Sequence, residues 1–195
     1  MAKRIVVANI KGGNGKTTIA NELAYSLDRS HIPYSFFDMD GQRGGAHTET
    51  EHPDAVVNIA DTAGSIETGD LHDLAKAADV VVIPTRSSKL DVYSFAETLN
   101  TVRDANPDAV VIVIHNGWNR YRLARDFGEW LTDNAHGAPV YQLPQSEPIA
   151  MAMTRDVSVQ EQNRRSSGAK AMQEIVNAIR IAAGLESEET NDDSK

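Results

Sequence analysis

The sequence predicts a single α/β domain: a mostly parallel, twisted sheet with helices on both faces. Three observations predict this class. Short β-branched runs alternate with segments of helical period, those runs are apolar throughout, which indicates strands buried on both faces, and 195 residues is the length of one domain. A chain of this size can bury roughly 70% of the surface that it exposes when unfolded, so it needs no covalent staple.

Six apolar runs predict the strands. In chain order they read "RIVVAN" (4–9), "YSFFD" (34–38), "AVVNIAD" (55–61), "VVVIP" (80–84), "AVVIVIH" (109–115) and "PVYQL" (139–143). Apolar residues at helical spacing predict helices after the first, fourth and fifth strands and near the end of the chain. These helices are marked by Ile19, Leu23 and Leu27; by Val92, Phe95, Leu99 and Val102; by Leu123, Phe127, Trp130 and Leu131; and by Met172, Ile175, Val176 and Ile179.

The ends of the chain are interpreted from local composition. We expect Ser167 to cap the last helix and Gly184 to follow its end. The domain then spans residues 1–184, and residues 185–195 form a disordered acidic tail because "ESEETNDDSK" offers no apolar side chain to bury. The segment "GQRGGAHTETEHPD" (41–54) is predicted to be a long, functional or mobile loop.

Charge and cysteine usage bound the class of protein. The net charge is −9, but the acids are concentrated in residues 38–79 and 186–195, whereas residues 80–185 are balanced and residues 1–37 are net basic. Cysteine is absent, which excludes disulfides and iron–sulfur centres and favours a reducing compartment. The apolar run at the amino terminus is too short for a signal peptide or a membrane span, so we expect a cytoplasmic protein.

The segment "NIKGGNGKTTIA" (9–20) carries the chemistry. Its glycines let successive N–H groups point inward, and the helix that begins near Lys16 adds the positive end of its dipole, so the loop should bind phosphate. Lys16 is expected to reach the β- and γ-phosphates, Thr17 to bind Mg²⁺ and Thr18 to contact the α-phosphate. Ile10 stands where the general phosphate-loop pattern has its first glycine, and a second lysine, Lys11, follows it.

The loop resembles "KGG-x-GK-T/S", the deviant Walker A motif of the ParA/MinD family of ATPases, and the resemblance covers roughly residues 4–182. "FFDMDGQRGG" is similar to the family's second motif at Asp38, Asp40 and Gln42, with Gly41 in place of the usual proline, and "NIADTAG" is similar to its Walker B motif at Asp61. The short interval from Asp40 to Asp61, with no helix-turn-helix before the loop, resembles the small plasmid-type ParA partition proteins.

The resemblance implies a P-loop NTPase fold, a weak Mg-dependent ATPase activity and a set of site residues. Lys11 would cross to the phosphates of the partner subunit in an ATP-dependent homodimer, and Asp40 would position the attacking water. Asp38 and Asp61 would join Thr17 around Mg²⁺. Asn116 and Pro144 would border the adenine, although Asn116-Gly117 fits a simple turn equally well. The nucleotide site would therefore consist of Gly12, Gly13, Asn14, Gly15, Lys16, Thr17, Thr18, Asn116 and Pro144.

The family leaves several functions open. A ParA-like protein partitions plasmid or chromosomal DNA, associates with the nucleoid as an ATP dimer and works with a ParB-like partner. A MinD-like positioning switch, or an enzyme that uses ATP on a small-molecule substrate, is the alternative. The acidic tail argues against direct membrane binding. Candidate contacts to nonspecific DNA, each equally well explained as a solvated helix face, are Arg120, Arg122, Arg125, Arg155, Arg164, Arg165, Lys170 and Arg180.

Overall fold

The computed structural model describes residues 1–39, 46–47 and 49–186. Within these residues, six strands form one parallel sheet: β1 (Lys3–Val7), β2 (Tyr34–Asp38), β3 (Val57–Asp61), β4 (Val80–Thr85), β5 (Val110–Trp118) and β6 (Val140–Pro144). Their order across the sheet is β2-β3-β1-β4-β5-β6, and every pairing is parallel. The predicted fold class and all six predicted strands are confirmed.

Seven helices connect and cover these strands in the described part of the chain. They are α1 (Lys16–Arg29), α2 (Thr68–Lys76), α3 (Lys89–Ala105), α4 (Arg122–Asn134), α5 (Glu147–Arg155), α6 (Val159–Asn163) and α7 (Ser167–Ala182). The four predicted helices correspond to α1, α3, α4 and α7. The cap predicted for the last one is wrong by one residue: Ser166, not Ser167, accepts the backbone N–H of Ala169, because Ser167 already has helical geometry.

The helices divide between the two faces of the sheet. Side chains of α1, α5, α6 and α7 pack with one face around Leu23, Ile59 and Met172. Side chains of α2, α3 and α4 pack with the other face around Phe95 and Val113. Because helices cover both faces of the sheet, all six residues of β4 are buried, which explains why this strand is apolar. No helix in the described ranges is both long and apolar enough to cross a membrane.

The carboxyl end of β5 is more elaborate than the sequence predicted. The strand continues past His115 to Trp118, and its pairing with β6 shifts register between Asn116 and Trp118. Gly117 has a φ of 78°, the left-handed region that glycine adopts without strain. The irregular end of the strand lies beside the loop after β1, since Asn116 Nδ2 donates to the carbonyl of Asn14, and bulges are common next to functional sites.

Two predicted segments lie partly outside the described residues. Residues 41–45 and 48 of the predicted long loop belong to this group. The described part contains Thr50, which forms an antiparallel bridge with Phe36 through two backbone hydrogen bonds of 2.8 and 2.9 Å. Residues 187–195 of the predicted tail also lie outside, so its disorder stays a prediction, while Leu185 donates its N–H to the carbonyl of Arg180 at 2.9 Å.

Candidate nucleotide-binding site

The loop between β1 and α1 has the tight curvature that its glycines predicted. Gly13 and Gly15 have φ values of 76° and 92°, where other residues would be strained. A Cβ on Gly15 would lie 2.3 Å from Nδ2 of Asn116, and one on Gly12 would lie 3.0 Å from the carbonyl oxygen of Gly64. The loop is therefore pressed against two other strand ends. Helix α1 begins at Lys16, so its first N–H groups open onto the loop.

Lys16 lies inside the loop and is 4% exposed. Its Nζ donates to the carbonyl oxygens of Asn9 at 3.1 Å, Lys11 at 3.2 Å and Gly64 at 3.5 Å. Carbonyl dipoles solvate the ammonium where water cannot reach it. The ammonium is thereby held at the centre of the loop, which is where a lysine can act on bound phosphates as a fixed positive charge.

Asn14 provides a direct test of whether the site suits a polar ligand. Its side chain is 1% exposed, and neither Oδ1 nor Nδ2 has a hydrogen-bond partner among the described residues. Such buried, unpaired amide atoms are costly unless a ligand or water satisfies them. Because Asn14 also lines the adjoining cavity, the loop residues fit a phosphate-bearing group.

The cavity beside the loop has a volume of about 480 Å³, within the usual range for small-molecule sites. The predicted residues Asn14 and Asn116 both line it, and Asn116 Nδ2 donates to the carbonyl of Asn14 at 2.8 Å. Pro144 pairs with Trp118 at the end of β6, and its neighbour Gln145 lines the cavity instead. The assignment of the adenine to this side stays a prediction.

The three predicted metal ligands come from neighbouring elements. Asp38 and Asp61 are paired in register at the ends of β2 and β3, and Asp61 is also opposite Val7 of β1. Asp61 is 1% exposed, and Thr17 is in the first turn of α1. In the described ranges no three His, Cys, Asp or Glu residues form a metal cage by themselves. Mg²⁺ bound here would therefore rely on Thr17, the carboxylates, water and phosphate oxygens. Asp40 lies outside the described residues.

Lys11 has a partner that the sequence did not predict. Its Nζ is 2.6 Å from Oδ1 of Asp91, at the start of α3, and 3.5 Å from Oγ of Ser88. The Lys11 side chain is 33% exposed and lines the cavity, whereas Asp91 is 1% exposed. The sequence does contain a signal for this corner, since Ser88-Lys89-Leu90-Asp91 is a capping pattern before an apolar helix. That pattern predicts the helix cap but not the ion pair between Asp91 and Lys11.

His115 forms a second polar contact that the sequence did not predict. It is fully buried, and its Nε2 shares a hydrogen bond of 2.6 Å with Oγ of Ser87, which lines the cavity. Burial lowers the pKa of His115 to about 4, so the imidazole is neutral at physiological pH. A neutral ring that packs on Phe127 and holds Ser87 supports the cavity wall without adding charge to it.

The basic residues proposed to contact DNA lie on two faces of the molecule. Arg120, Arg122 and Arg125 are exposed in and just before α4, on one side of the sheet; Arg122 also pairs with Asp126 at 3.3 Å. The second group is exposed on or beside α5, α6 and α7, on the other side. It consists of Arg155, Arg164, Arg165 and Lys170.

Arg180 was wrongly predicted to be a DNA contact. It is 2% exposed, and its Nη1 donates to the carbonyl and hydroxyl oxygens of Ser26, at 3.2 and 2.7 Å, and to Oγ of Ser30 at 2.9 Å. Its Nε donates to the carbonyl of Glu186 at 2.8 Å. The guanidinium therefore joins the end of α1 to the residues after α7, and no face of it is available to a phosphate.

The sequence of residues 5–159 matches the model of the CobQ/CobB/MinD/ParA nucleotide-binding domain. The chain belongs to this family. The matched range includes both lysines of the loop, Asp38, Asp61 and the residues that line the cavity. No curated protein sequence matches the chain significantly.

Solved structures of family members agree with the fold. A McdA(D38A)–ATP complex from Cyanothece is 15% identical with a TM-score of 0.75, covering 97% of this chain and 99% of that one. A plasmid partition protein of Borrelia burgdorferi bound to AMPPNP is 16% identical with a TM-score of 0.66, covering 90% and 98%. Cobyrinic acid a,c-diamide synthase from Mycobacterium smegmatis, with ADP and magnesium, is 18% identical with a TM-score of 0.63, covering 97% and 100%.

Proposed function

We propose that this protein is an ATP-dependent DNA-partitioning ATPase of the ParA type. Mg-ATP binding drives two subunits together face to face, and the dimer binds nonspecific DNA of the nucleoid in the cytoplasm. A ParB-like partner stimulates a weak intrinsic ATPase activity, in which Asp40 positions the attacking water, and hydrolysis resets the switch. When bound, Mg²⁺ supplies charge neutralisation between the phosphate oxygens; Thr17, Asp38 and Asp61 would hold it.

The observation that carries this proposal is the second lysine at the open side of the site. Lys16 already supplies the buried cation of the phosphate loop, whereas Lys11 is partly exposed at the rim of the same cavity. A partly exposed lysine at this rim suits a phosphate outside its own loop. Lys11 is therefore assigned to the nucleotide of a partner subunit.

Exposed apolar side chains around the same cavity support an interface there. Leu90 and Tyr93 on α3 are 67% and 63% exposed, and Tyr121 and Leu123 at the start of α4 are 70% and 66% exposed. Tyr121 and Leu123 line the cavity itself. Large apolar side chains grouped beside a binding site are typical of surfaces that become buried on association.

The last helix favours DNA over membrane as the surface that is bound. The apolar stripe of α7, formed by Met172, Ile175, Val176 and Ile179, is at most 2% exposed, since it packs into the core. A membrane-binding amphipathic helix needs that stripe free. Exposed cations on or beside α5, α6 and α7, across the sheet from the exposed apolar side chains of α3 and the start of α4, instead offer contacts to phosphates, and a dimer doubles their number. They are Arg155, Arg164, Arg165 and Lys170.

The proposal is tested on wild type, Lys11→Ala and the control Lys76→Ala, which removes an exposed lysine at the far end of α2. Light scattering with Mg-ATP should show a wild-type dimer and a monomeric Lys11→Ala variant that still binds ATP; Lys76→Ala should behave as wild type. Anisotropy with nonspecific duplex should show binding only in the ATP form, and six or more phosphate contacts imply an affinity loss of about a thousandfold between 50 and 200 mM salt. Equal DNA retention by the apo and ATP forms would contradict the proposal.

A further inference from the structure

Lys11 is held by its own subunit in this structure. The ion pair with Asp91 joins residues 80 positions apart and closes the gap between the phosphate loop and the start of α3. Of the described residues that line the cavity, Asp91 is the one carboxylate. A carboxylate beside a site for a polyanionic ligand opposes that ligand unless a cation neutralises it, and Lys11 does so here.

Asp91 is well stabilised even without Lys11. It is the third residue of α3, and the hydroxyl of its N-cap, Ser88, donates to the second carboxylate oxygen. Ser88 Oγ also accepts the backbone N–H of Asp91 at 3.3 Å, which completes the cap. The positive end of the helix dipole further favours a negative charge in this turn. When Lys11 leaves, the carboxylate therefore keeps the hydrogen bond from Ser88 and its favourable place in the first turn of α3.

The backbone of Lys11 is fixed, so that only its side chain is able to move. Its N–H donates to Oδ1 of Asn9 at 2.9 Å, and its carbonyl accepts Nζ of Lys16 at 3.2 Å. Because both peptide groups are engaged inside the loop, a change of partner for the ammonium requires rotation of the side chain and no rearrangement of the loop. Exchange between two acceptors is then a local event on the cavity rim.

We propose that Asp91 is a positioning residue that retains the Lys11 ammonium within its own subunit, and that pairing of ATP-bound subunits transfers this ammonium from Asp91 to the phosphates of the partner's nucleotide. The inference rests on the proposed ATP-dependent dimer. The exchange replaces one anionic acceptor by another, so it proceeds only where the phosphates attract the ammonium more strongly than the carboxylate does. A triphosphate carries more negative charge than a diphosphate. We therefore expect ATP, but not ADP, on the partner subunit to attract the Lys11 ammonium strongly enough to displace it from Asp91.

The first experiment measures the ATP concentration that gives half-maximal dimer, by light scattering, in wild type and Asp91→Asn. The amide keeps an oxygen for the Ser88 hydroxyl but removes the charge that holds Lys11. We expect the half-maximal ATP concentration to fall about tenfold, the effect of losing one competing charge-assisted hydrogen bond. The same substitution in a Lys11→Ala background should restore no dimer, because it acts through Lys11.

Ser88→Ala is the matched control for a purely structural role. It weakens the same helix cap and removes a 3.5 Å contact of Lys11 Nζ, but it leaves in place the carboxylate that pairs with Lys11 at 2.6 Å. If Asp91 only caps α3, both variants lower the melting temperature and neither lowers the ATP requirement. An unchanged or raised half-maximal ATP concentration in Asp91→Asn would overturn the proposal.

A second experiment needs no dimer and so separates this proposal from the proposed function. The nucleotide-free protein is treated with an amine-acylating reagent, and the modification of each lysine is followed by mass spectrometry. Lys11 should react several-fold faster in Asp91→Asn than in wild type, while the exposed Lys76 and Lys170 of the same samples are unchanged. Equal acylation rates of Lys11 in wild type and Asp91→Asn would overturn the proposal that Asp91 restrains the Lys11 ammonium. A wild type that never dimerises with ATP would instead overturn the proposed function.

Discussion

Replacement of Arg180 by alanine should destabilise the fold without acting through DNA. Within the described part of the chain, four hydrogen bonds of the guanidinium are seen, two of them to the buried Ser26, which is 0% exposed. Loss of a charged donor costs about 1–3 kcal/mol for each buried acceptor left without it. Part of this loss is recovered, because the Ser26 carbonyl still accepts the backbone N–H of Ser30. Water can also replace Arg180 at the carbonyl of the exposed Glu186. The free energy of unfolding should fall by about 3 kcal/mol.

The assay is urea unfolding of Arg180→Ala beside Arg122→Ala. Arg122 is the matched control, since its side chain is 87% exposed and its pair with Asp126 contributes at most about 0.5 kcal/mol. DNA binding with ATP is then measured where both variants are folded, and Arg180→Ala should bind as wild type does. A free energy of unfolding within about 0.5 kcal/mol of wild type, together with weakened DNA binding, would refute the structural role.

Two further predictions follow from the cavity. Gly15→Ala should abolish nucleotide binding in a calorimetric titration, because the new Cβ would meet Asn116 at 2.3 Å and the φ of 92° is strained; Gly69→Ala, with open space in α2, should bind normally and gain about 0.5–1 kcal/mol of stability. Neutral, buried His115 should make stability fall as pH drops from 6.5 toward its folded pKa of about 4. The slope should approach about 1.4 kcal/mol per pH unit, to a total of about 3 kcal/mol, since the unfolded state binds the proton more tightly. Urea unfolding of wild type and His115→Gln at several pH values measures this slope, and parallel pH dependences would be the contrary result.

The length of a helix and the size of its buried face decided which helices the sequence could predict. The four predicted helices run from 13 to 17 residues, long enough to show an apolar stripe. The missed helices are shorter, and their buried sides are small. Helix α2 buries Leu71 and Ala75, α5 buries Ala152, and α6 has five residues. The exact start of α7 could not be predicted, because Ser166 and Ser167 are equally good cap residues until the first helical residue is known.

The sequence also predicts those residues of the candidate site that depend on local backbone geometry better than those that depend on contacts distant in the chain. Gly13 and Gly15 are predictable because their left-handed backbone angles are a local requirement of the turn. The contacts of Gly12 with Gly64 and of Gly15 with Asn116 are not, since those neighbours are distant in the sequence. The prediction that Arg180 contacts DNA was wrong because its acceptors on Ser26 lie 154 residues away in the sequence. A sequence shows that an arginine lies near the end of a helix, but not whether that turn faces solvent. Only the packing of α7 against α1 distinguishes an arginine that binds phosphate from one that joins two helices.

The two lysines of the loop illustrate how structure separates residues that one motif presents together. Lys16 is 4% exposed and donates to three carbonyl oxygens of the described residues, so its ammonium is held inside the site. Lys11 is held at the rim by a single carboxylate that has other stabilising contacts, so its ammonium is exchangeable. A fixed cation contributes to the affinity of one subunit for nucleotide. An exchangeable one contributes only when a second anion competes for it, which is the property that a nucleotide-gated dimer requires.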